Sequence, residues 1–429
     1  MLPSRRTPVA HLLRTAAAAL LLAAAARAPG SGAVTDGRAS PQDATHRMDG
    51  EYGLYVRIEG DSIRVGWITA SHARGMLQVV SGDAIRLDTT TAADSAHVVA
   101  FGHASRDTLT LRYGSAEDST DRHVTTIDPR VGVKRPPVRI EDADRVFVLG
   151  DTHGEFDTLT AVLRAAGVVD HALHWIAGDA RLVVLGDVTD RGADVTRALW
   201  FLYRLEREAA QADGGVHLVL GNHELMVMLG DVRYVAPKEL TVARLHGVTY
   251  DRLFDPRHAV LGRWLASRPA LIRIEDALFV HGGVSPAQLN HSLQSIDDSL
   301  ATFAGEELFY RWADTSYVVP LDSAALARRN DFFWDASSLF WYRGYAQADT
   351  LGAALDSVLD HFDSRLMVVG HTPAAIGIRQ AYDGRLIMTN TLPFGQEVLL
   401  LTRRDGGWQR ERIRADGVRA PLAGRDSLP

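Results

Sequence analysis

Five apolar runs in the second part of the chain break off at glycine and at a side chain that no buried strand needs. They lead into Gly150-Asp151-Thr152-His153-Gly154, Gly186-Asp187-Val188-Thr189-Asp190-Arg191-Gly192, Gly221-Asn222-His223-Glu224, His281-Gly282-Gly283 and Gly370-His371-Thr372. Between the first three, "FDTLTAVLRAAG" and "ADVTRALWFLYRLEREAAQA" place apolar residues at helical spacing, and a further helix is expected to start near Leu225. Repeated strand–helix–strand units predict a largely parallel sheet covered on both faces. Ligands of such sheets bind beyond the carboxyl ends of the strands, so all five tips can converge on one place. One aspartate after glycine is often only a turn or helix cap. Five tips of the same kind in one chain ask for a common ligand.

The donors at these tips suit two divalent metal ions. Asp151 and His153 can hold the first, Asn222, His281 and His371 the second, and Asp187 can bridge them with its two oxygens. The chain has no cysteine, which excludes disulfides, thiolate nucleophiles and thiolate metal sites. Imidazole and carboxylate donors suit manganese, iron or zinc better than calcium or magnesium. A metal pair lowers the pKa of a shared water and clamps both oxygens of an in-line displacement at phosphorus. A formal charge of −7 argues against nucleic acid or an anionic membrane surface as the main partner.

The blocks GD-x-HG, GD-x-x-DRG, GNHE and HGG, in this order, resemble the calcineurin-like metallophosphoesterase superfamily, and within it the phosphoprotein phosphatase family. "FWYRGY" at Phe340–Tyr345 makes the sequence similar to the bacterial Shewanella-like protein phosphatases. The resemblance spans Asp144 to Leu401 and leaves out the N-terminal part. It implies an α/β metallophosphoesterase fold, with βαβ units around a mixed sheet or sandwich and metals at the strand ends. It also implies a phosphomonoester hydrolase that attacks directly with a metal-bridging hydroxide. In that scheme His223 protonates the leaving oxygen, Asp190 orients His223, and Arg191 and Asn222 contact the phosphate. A second phosphate arginine is expected between the last two histidine blocks, with Arg343 preferred and Arg311 in reserve. GDVTDRG stands where eukaryotic protein phosphatases have GDYVDRG, and no SAPNYC-like stretch follows, so the resemblance leaves open whether serine/threonine specificity carries over.

Outside this region the chain reads as several further segments. Residues 1–33 look like a secretory signal: a basic start, an apolar Thr15–Ala26 too short to span a bilayer, then small residues at Ala26-Arg27-Ala28 or Ser31-Gly32-Ala33. That implies a secreted or periplasmic protein with no stable membrane span after cleavage. Residues 34–48 read as a linker. Short alternating runs over 49–128, among them "DSIRVGWIT", "MLQVVSG", "AIRLDTTT" and "AHVVAFGH" as separate strands, predict a smaller, sandwich-like all-β accessory domain, and 129–143 a proline-bearing connector. The catalytic domain is expected over 144–415 and a flexible tail over 416–429. His171, His174, His217, His246, His291 and His361 lie away from the strand tips and read as surface or cap residues. Met226 and Met228 read as packing residues.

Three functions fit. The first is an exported phosphatase of phosphorylated proteins, on tyrosine or on serine and threonine. The second is a small-molecule phosphohydrolase acting on a dinucleoside polyphosphate or nucleotide. The third is a surface-binding protein, led by its β-domain, with a vestigial metal site; the intact ligand set argues against it.

Overall fold

The computed structural model describes residues 53–103, 107–305, 323–374 and 377–422. The expected signal and linker and the reserve Arg311 lie outside the described residues. Two six-stranded mixed sheets form the body. One runs β13-β14-β12-β11-β10-β6 and the other β17-β16-β15-β7-β8-β9. In the second, β7 (Arg145–Leu149), β8 (Arg181–Val184) and β9 (Gly215–Leu218) are parallel neighbours. In the first, β11 (Ala277–Val280), β12 (Leu366–Val369) and β14 (Leu386–Met388) run parallel. β6 (Arg139–Ile140) joins that sheet beside β10 (Leu271–Ile274), so part of the expected connector is a strand.

The apolar runs are continuous because both faces of these strands are covered. Val146, Val148 and Val183 point into a layer shared with Ile272, Phe279, Val368 and Ile387 of the other sheet. Phe147, Leu149, Leu182 and Val184 point the other way, into the core built with the helices. Each such side chain contributes about 1.5–3 kcal/mol through burial. α1 (Phe156–Ala166) follows β7 and α2 (Val195–Gln211) follows β8. α3 (Asn222–Met228) starts three residues earlier than its apolar pattern predicts, because the Glu224 carboxylate accepts the Gly221 N–H and fixes the first turn.

β15 (Glu397–Arg404), β16 (Gly407–Arg414) and β17 (Arg419–Pro421) close the second sheet. The expected tail from 416 therefore includes a paired strand, and its last residues lie outside the described ones. β13 (Arg379–Ala381) meets β14 through a turn at Asp383-Gly384.

The N-terminal strands β1 (Tyr55–Glu59), β2 (Ser62–Ser81), β3 (Ala84–Gly102), β4 (Leu109–Ser115) and β5 (Arg122–Ile127) form one antiparallel sheet rather than two facing sheets. Runs that read as separate strands are continuous: register shifts between Ile68 and Ala73 and between Arg74 and Met76 bend β2 without a turn. The sheet is fastened to the body. Trp200 Nε1 donates to Leu54 O at 2.9 Å, His246 Nε2 to Gly53 O at 2.7 Å, and the Tyr55 hydroxyl to Arg252 O at 2.9 Å. His246 is thus a half-buried fastener rather than a surface histidine, and desolvation pushes its pKa down to about 4.

Candidate metal centre and active site

The carboxyl ends of β7, β8, β9, β11 and β12 deliver Asp151, Asp187, Asn222, His281 and His371 to one buried cluster, and His153 joins them from the β7 loop. Close approach of the loops depends on glycine. A Cβ on Gly221 would lie 2.3 Å from Asp187 Oδ1, and one on Gly370 would lie 2.6 Å from Asp151 Oδ1. His153, Asp187, Asp190, Arg191 and His371 all adopt positive φ, between 44° and 69°. Such strain gathers where surrounding structure over-determines the backbone, as at functional sites.

Two backbone carbonyls set the histidine tautomers. His153 Nδ1 donates to Thr189 O at 2.8 Å and His281 Nδ1 to Leu185 O at 2.6 Å. Each imidazole therefore turns its Nε2 inward. His281 Nε2 lies 2.9 Å from Asn222 Oδ1, 3.2 Å from His371 Nδ1 and 3.3 Å from Asp187 Oδ2. His153 Nε2 lies 3.8 Å from the same Asp187 oxygen and 4.0 Å from Asp151 Oδ2. Asp187 belongs to both donor groups, one with His153 and one with His281 and His371.

The cluster asks for positive charge. Burial lowers the pKa of His281, but the charge and hydrogen bond of Asp187, with Asp151, outweigh it and hold it at about 9. Burial, then the neighbouring Asp187, pushes Asp151 up to about 7. A single proton on His281 satisfies one of the lone pairs facing it, whereas cations satisfy all of them. His371 Nε2 is also buried without a hydrogen-bond partner among the described residues. The oxygen and imidazole set fits two divalent metal ions in residue type and placement.

His223 and Arg191 stand beside this cluster. His223 Nδ1 is 2.6 Å from Asp190 Oδ2, and Arg191 Nη2 is 3.3 Å from His223 Nε2. Burial opposes a charge on His223, yet Asp187 and Asp190 raise its pKa above the ordinary histidine value. His223 also groups with His153 and Asp187 as a possible metal donor, but an arginine already addresses its inward nitrogen. Arg343 reaches the other side, where Nη1 donates to His371 O and to Thr372 Oγ1, both at 3.2 Å. His174 pairs with Glu208 at 3.0 Å, away from the cluster.

Three features escape the sequence reading. Asn390, just past β14, donates to Asp151 Oδ2 at 2.6 Å and to His371 O at 3.0 Å. It is a sixth strand tip, hidden because "MTNT" carries neither glycine nor histidine. Glu224 is fully buried and accepts from the backbone N–H groups of Asp187, Val188 and Thr189 at 2.8–3.0 Å, tying two tips together. Tyr234 and Phe394 flank the Arg191 guanidinium, 5.4 and 5.8 Å from their ring centres. Asn390→Ala is expected to weaken metal binding about 10–100-fold, because outer partners orient the ligands. Titration with manganese, read by the rise in Tm, checks this.

Residues 144–375 match the calcineurin-like phosphoesterase family. An uncharacterized protein of Schizosaccharomyces pombe is 30% identical over 255 residues, covering 57% of this chain and 72% of that one. Shewanella-like protein phosphatase 2 of Arabidopsis thaliana is 24% identical over 319 residues, covering 63% and 78%. The crystal structure of a cold-active protein-tyrosine phosphatase of a psychrophilic Shewanella species superposes with a TM-score of 0.67 at 26% identity, covering 86% of this chain and 99% of that one. This likeness is wider than the residues from Asp144 onward can supply, so it reaches into the N-terminal sheet that the sequence resemblance left out. No helix among the described residues is long and apolar enough to cross a membrane. With its strand tips gathered around a buried metal-binding cluster, this chain belongs to the calcineurin-like phosphoesterase family and is a metal-dependent phosphoester hydrolase.

Proposed function

We propose that the protein is an exported phosphatase of phosphorylated proteins, hydrolysing phosphomonoesters with no covalent enzyme intermediate. The observation that carries this reading is the position of Asp187 Oδ2 between two donor groups, with His223 and Arg191 alongside. In this account Asp151 and His153 hold one divalent cation, Asn222, His281 and His371 hold the other, and Asp187 serves both. Manganese, iron or zinc suits these donors. When bound, the pair supplies an activated water at neutral pH and neutralises phosphate charge.

The chain's own residues do the rest. Arg191 offers a planar fork to the phosphate oxygens, and its two flanking rings keep it oriented. Arg343 binds the phosphate from the opposite side, and Asn222 contacts it beside the cluster. Asp190 holds the His223 imidazole by its proton-bearing Nδ1, and when Arg191 turns to the phosphate Nε2 is released to carry a proton to the departing oxygen. No cysteine is present to form a phosphocysteine. Residues 144–415 carry this chemistry and 49–128 are accessory, with export directed by residues 1–33.

Tyrosine phosphate is the favoured substrate class. The exposed ring of Tyr234 lies 5.4 Å from the His223 ring, where the leaving group departs, and the Shewanella relative is a protein-tyrosine phosphatase. The test is a panel of phosphotyrosyl peptide, phosphoseryl peptide and diadenosine tetraphosphate, assayed with manganese and after chelation. The phosphotyrosyl peptide is expected to give the highest kcat/KM, with all activity lost on chelation. A preference for diadenosine tetraphosphate would replace this reading with the small-molecule one.

A further inference from the structure

A groove of about 560 Å³ runs between β5 and the C-terminal half of α2, remote from the metal cluster. Its strand side is unusual: among the described residues β5 ends its sheet and pairs with β4 on one edge only, which leaves its other edge without a strand partner there. Its helix side is cationic. Arg204, Arg207 and Gln211 share one face of α2 at helical spacing, and Arg122 faces them from the strand. The one acid lining the groove, Glu208, is shared by the Trp175 N–H, His174 and Arg204, whose Nε lies 3.5 Å from it. Arg207 Nη1 is buried with no hydrogen-bond partner among the described residues.

Arg207 also lines an adjoining cavity of about 620 Å³. There Asp128 pairs with Arg130 and Glu206 with Arg268, so both acids of that lining already hold another arginine. A chain with an overall charge of −7 thus concentrates positive charge along one unpaired strand edge. A buried guanidinium nitrogen without an acceptor is costly, which is the condition an anionic ligand relieves.

We propose that this groove docks an extended acidic segment of the protein substrate. The segment adds to the edge of β5 as a further strand, and Arg207 takes its carboxylates, while Arg204 and Arg122, held by their own partners, add to the positive field. Strand addition supplies affinity through main-chain hydrogen bonds, and the charges supply selectivity. The identity of the bound chain rests on the phosphatase reading; the groove's preference for acidic peptide does not.

The fold also sets a spacing. α2 begins at Val195, just behind the loop that carries Arg191. At 1.5 Å per residue, Arg204 and Gln211 lie roughly 14 and 24 Å along the helix. An extended peptide covers that distance in about five to eight residues. The acidic tract therefore belongs about that far, or slightly farther, from the phosphorylated residue.

The experiment compares two phosphotyrosyl peptides on the full chain, one with a Glu/Asp tract eight residues from the phosphotyrosine and one without. The tract is expected to raise kcat/KM about tenfold through KM, an advantage that fades as salt screens the charges. Arg207→Glu is expected to abolish the advantage and leave kcat/KM unchanged for the tract-free peptide and for p-nitrophenyl phosphate, which also reports correct folding. An equal advantage in the variant, or none in the wild type, overturns the proposal. If neither peptide is hydrolysed, the phosphatase reading fails. Binding of a fluorescent, unphosphorylated acidic peptide then still tests the groove by anisotropy, and undiminished binding by Arg207→Glu overturns it. Displacement of that peptide by inorganic phosphate at millimolar concentration marks a simple anion site and overturns strand addition.

Discussion

Asp187→Asn is expected to lower kcat/KM for an aryl phosphate by more than about 100-fold and to reduce bound metal. The loss should exceed the 10–100-fold typical of outer partners, because Asp187 touches both donor groups. The substitution is nearly isosteric, and the backbone decides how it fails. The His223 N–H donates to Asp187 Oδ1 at 3.0 Å, so the amide oxygen of the asparagine must take that position. Its NH₂ then replaces Oδ2, which lies 3.3 Å from His281 Nε2 and 3.8 Å from His153 Nε2. A donor replaces the shared acceptor at the point where both donor groups meet, and no ligand atom remains there for a cation. The metal-free variant should fold, since removing a buried carboxylate relieves a desolvation penalty. The rise in Tm on adding manganese should largely vanish, because stabilisation by a ligand follows its affinity for the folded state. Metal analysis and thermal melts read both effects, and a variant with wild-type metal content and turnover would remove Asp187 from its bridging place.

His223→Asn separates proton donation from metal binding. General acids contribute about 10²–10⁴-fold, and their contribution grows as the leaving group becomes more basic. An alkyl phosphate should lose about 100-fold or more in kcat. p-Nitrophenyl phosphate, whose leaving group departs readily as an anion, should lose about tenfold or less. Metal content should stay at the wild-type level, because Asp190 and Arg191 already occupy both imidazole nitrogens. Equal losses on both substrates would contradict the acid role. Loss of metal would instead make His223 a ligand with His153 and Asp187, a grouping the donor distances permit.

The candidate site was legible in the sequence where a donor side chain stands within two or three residues of the end of an apolar run. Asp151, Asp187, Asn222, His281 and His371 all do, and the glycine beside each marks a close backbone approach. Asn390 was not legible, because β14 is three residues long and its tip carries no such glycine. The structural work of Glu224 was equally hidden: its partners are backbone N–H groups from Asp187 to Thr189, far away in the chain. The N-terminal sheet shows the opposite limit. Its alternation correctly indicated strands, but a β-bulge has no fixed residue signature, so β2 and β3 each read as two shorter strands. Packing of that sheet on the body depends on Leu54 O and Gly53 O, main-chain atoms that composition cannot single out.

The central claim is that two ions share one cage with Asp187 between them. Anomalous diffraction from crystals grown with manganese tests it most directly. The account requires two peaks, one against Asp151 and His153, the other against Asn222, His281 and His371, with the Asp187 carboxylate in contact with both. A single peak, or two peaks with Asp187 turned away from either, would contradict it.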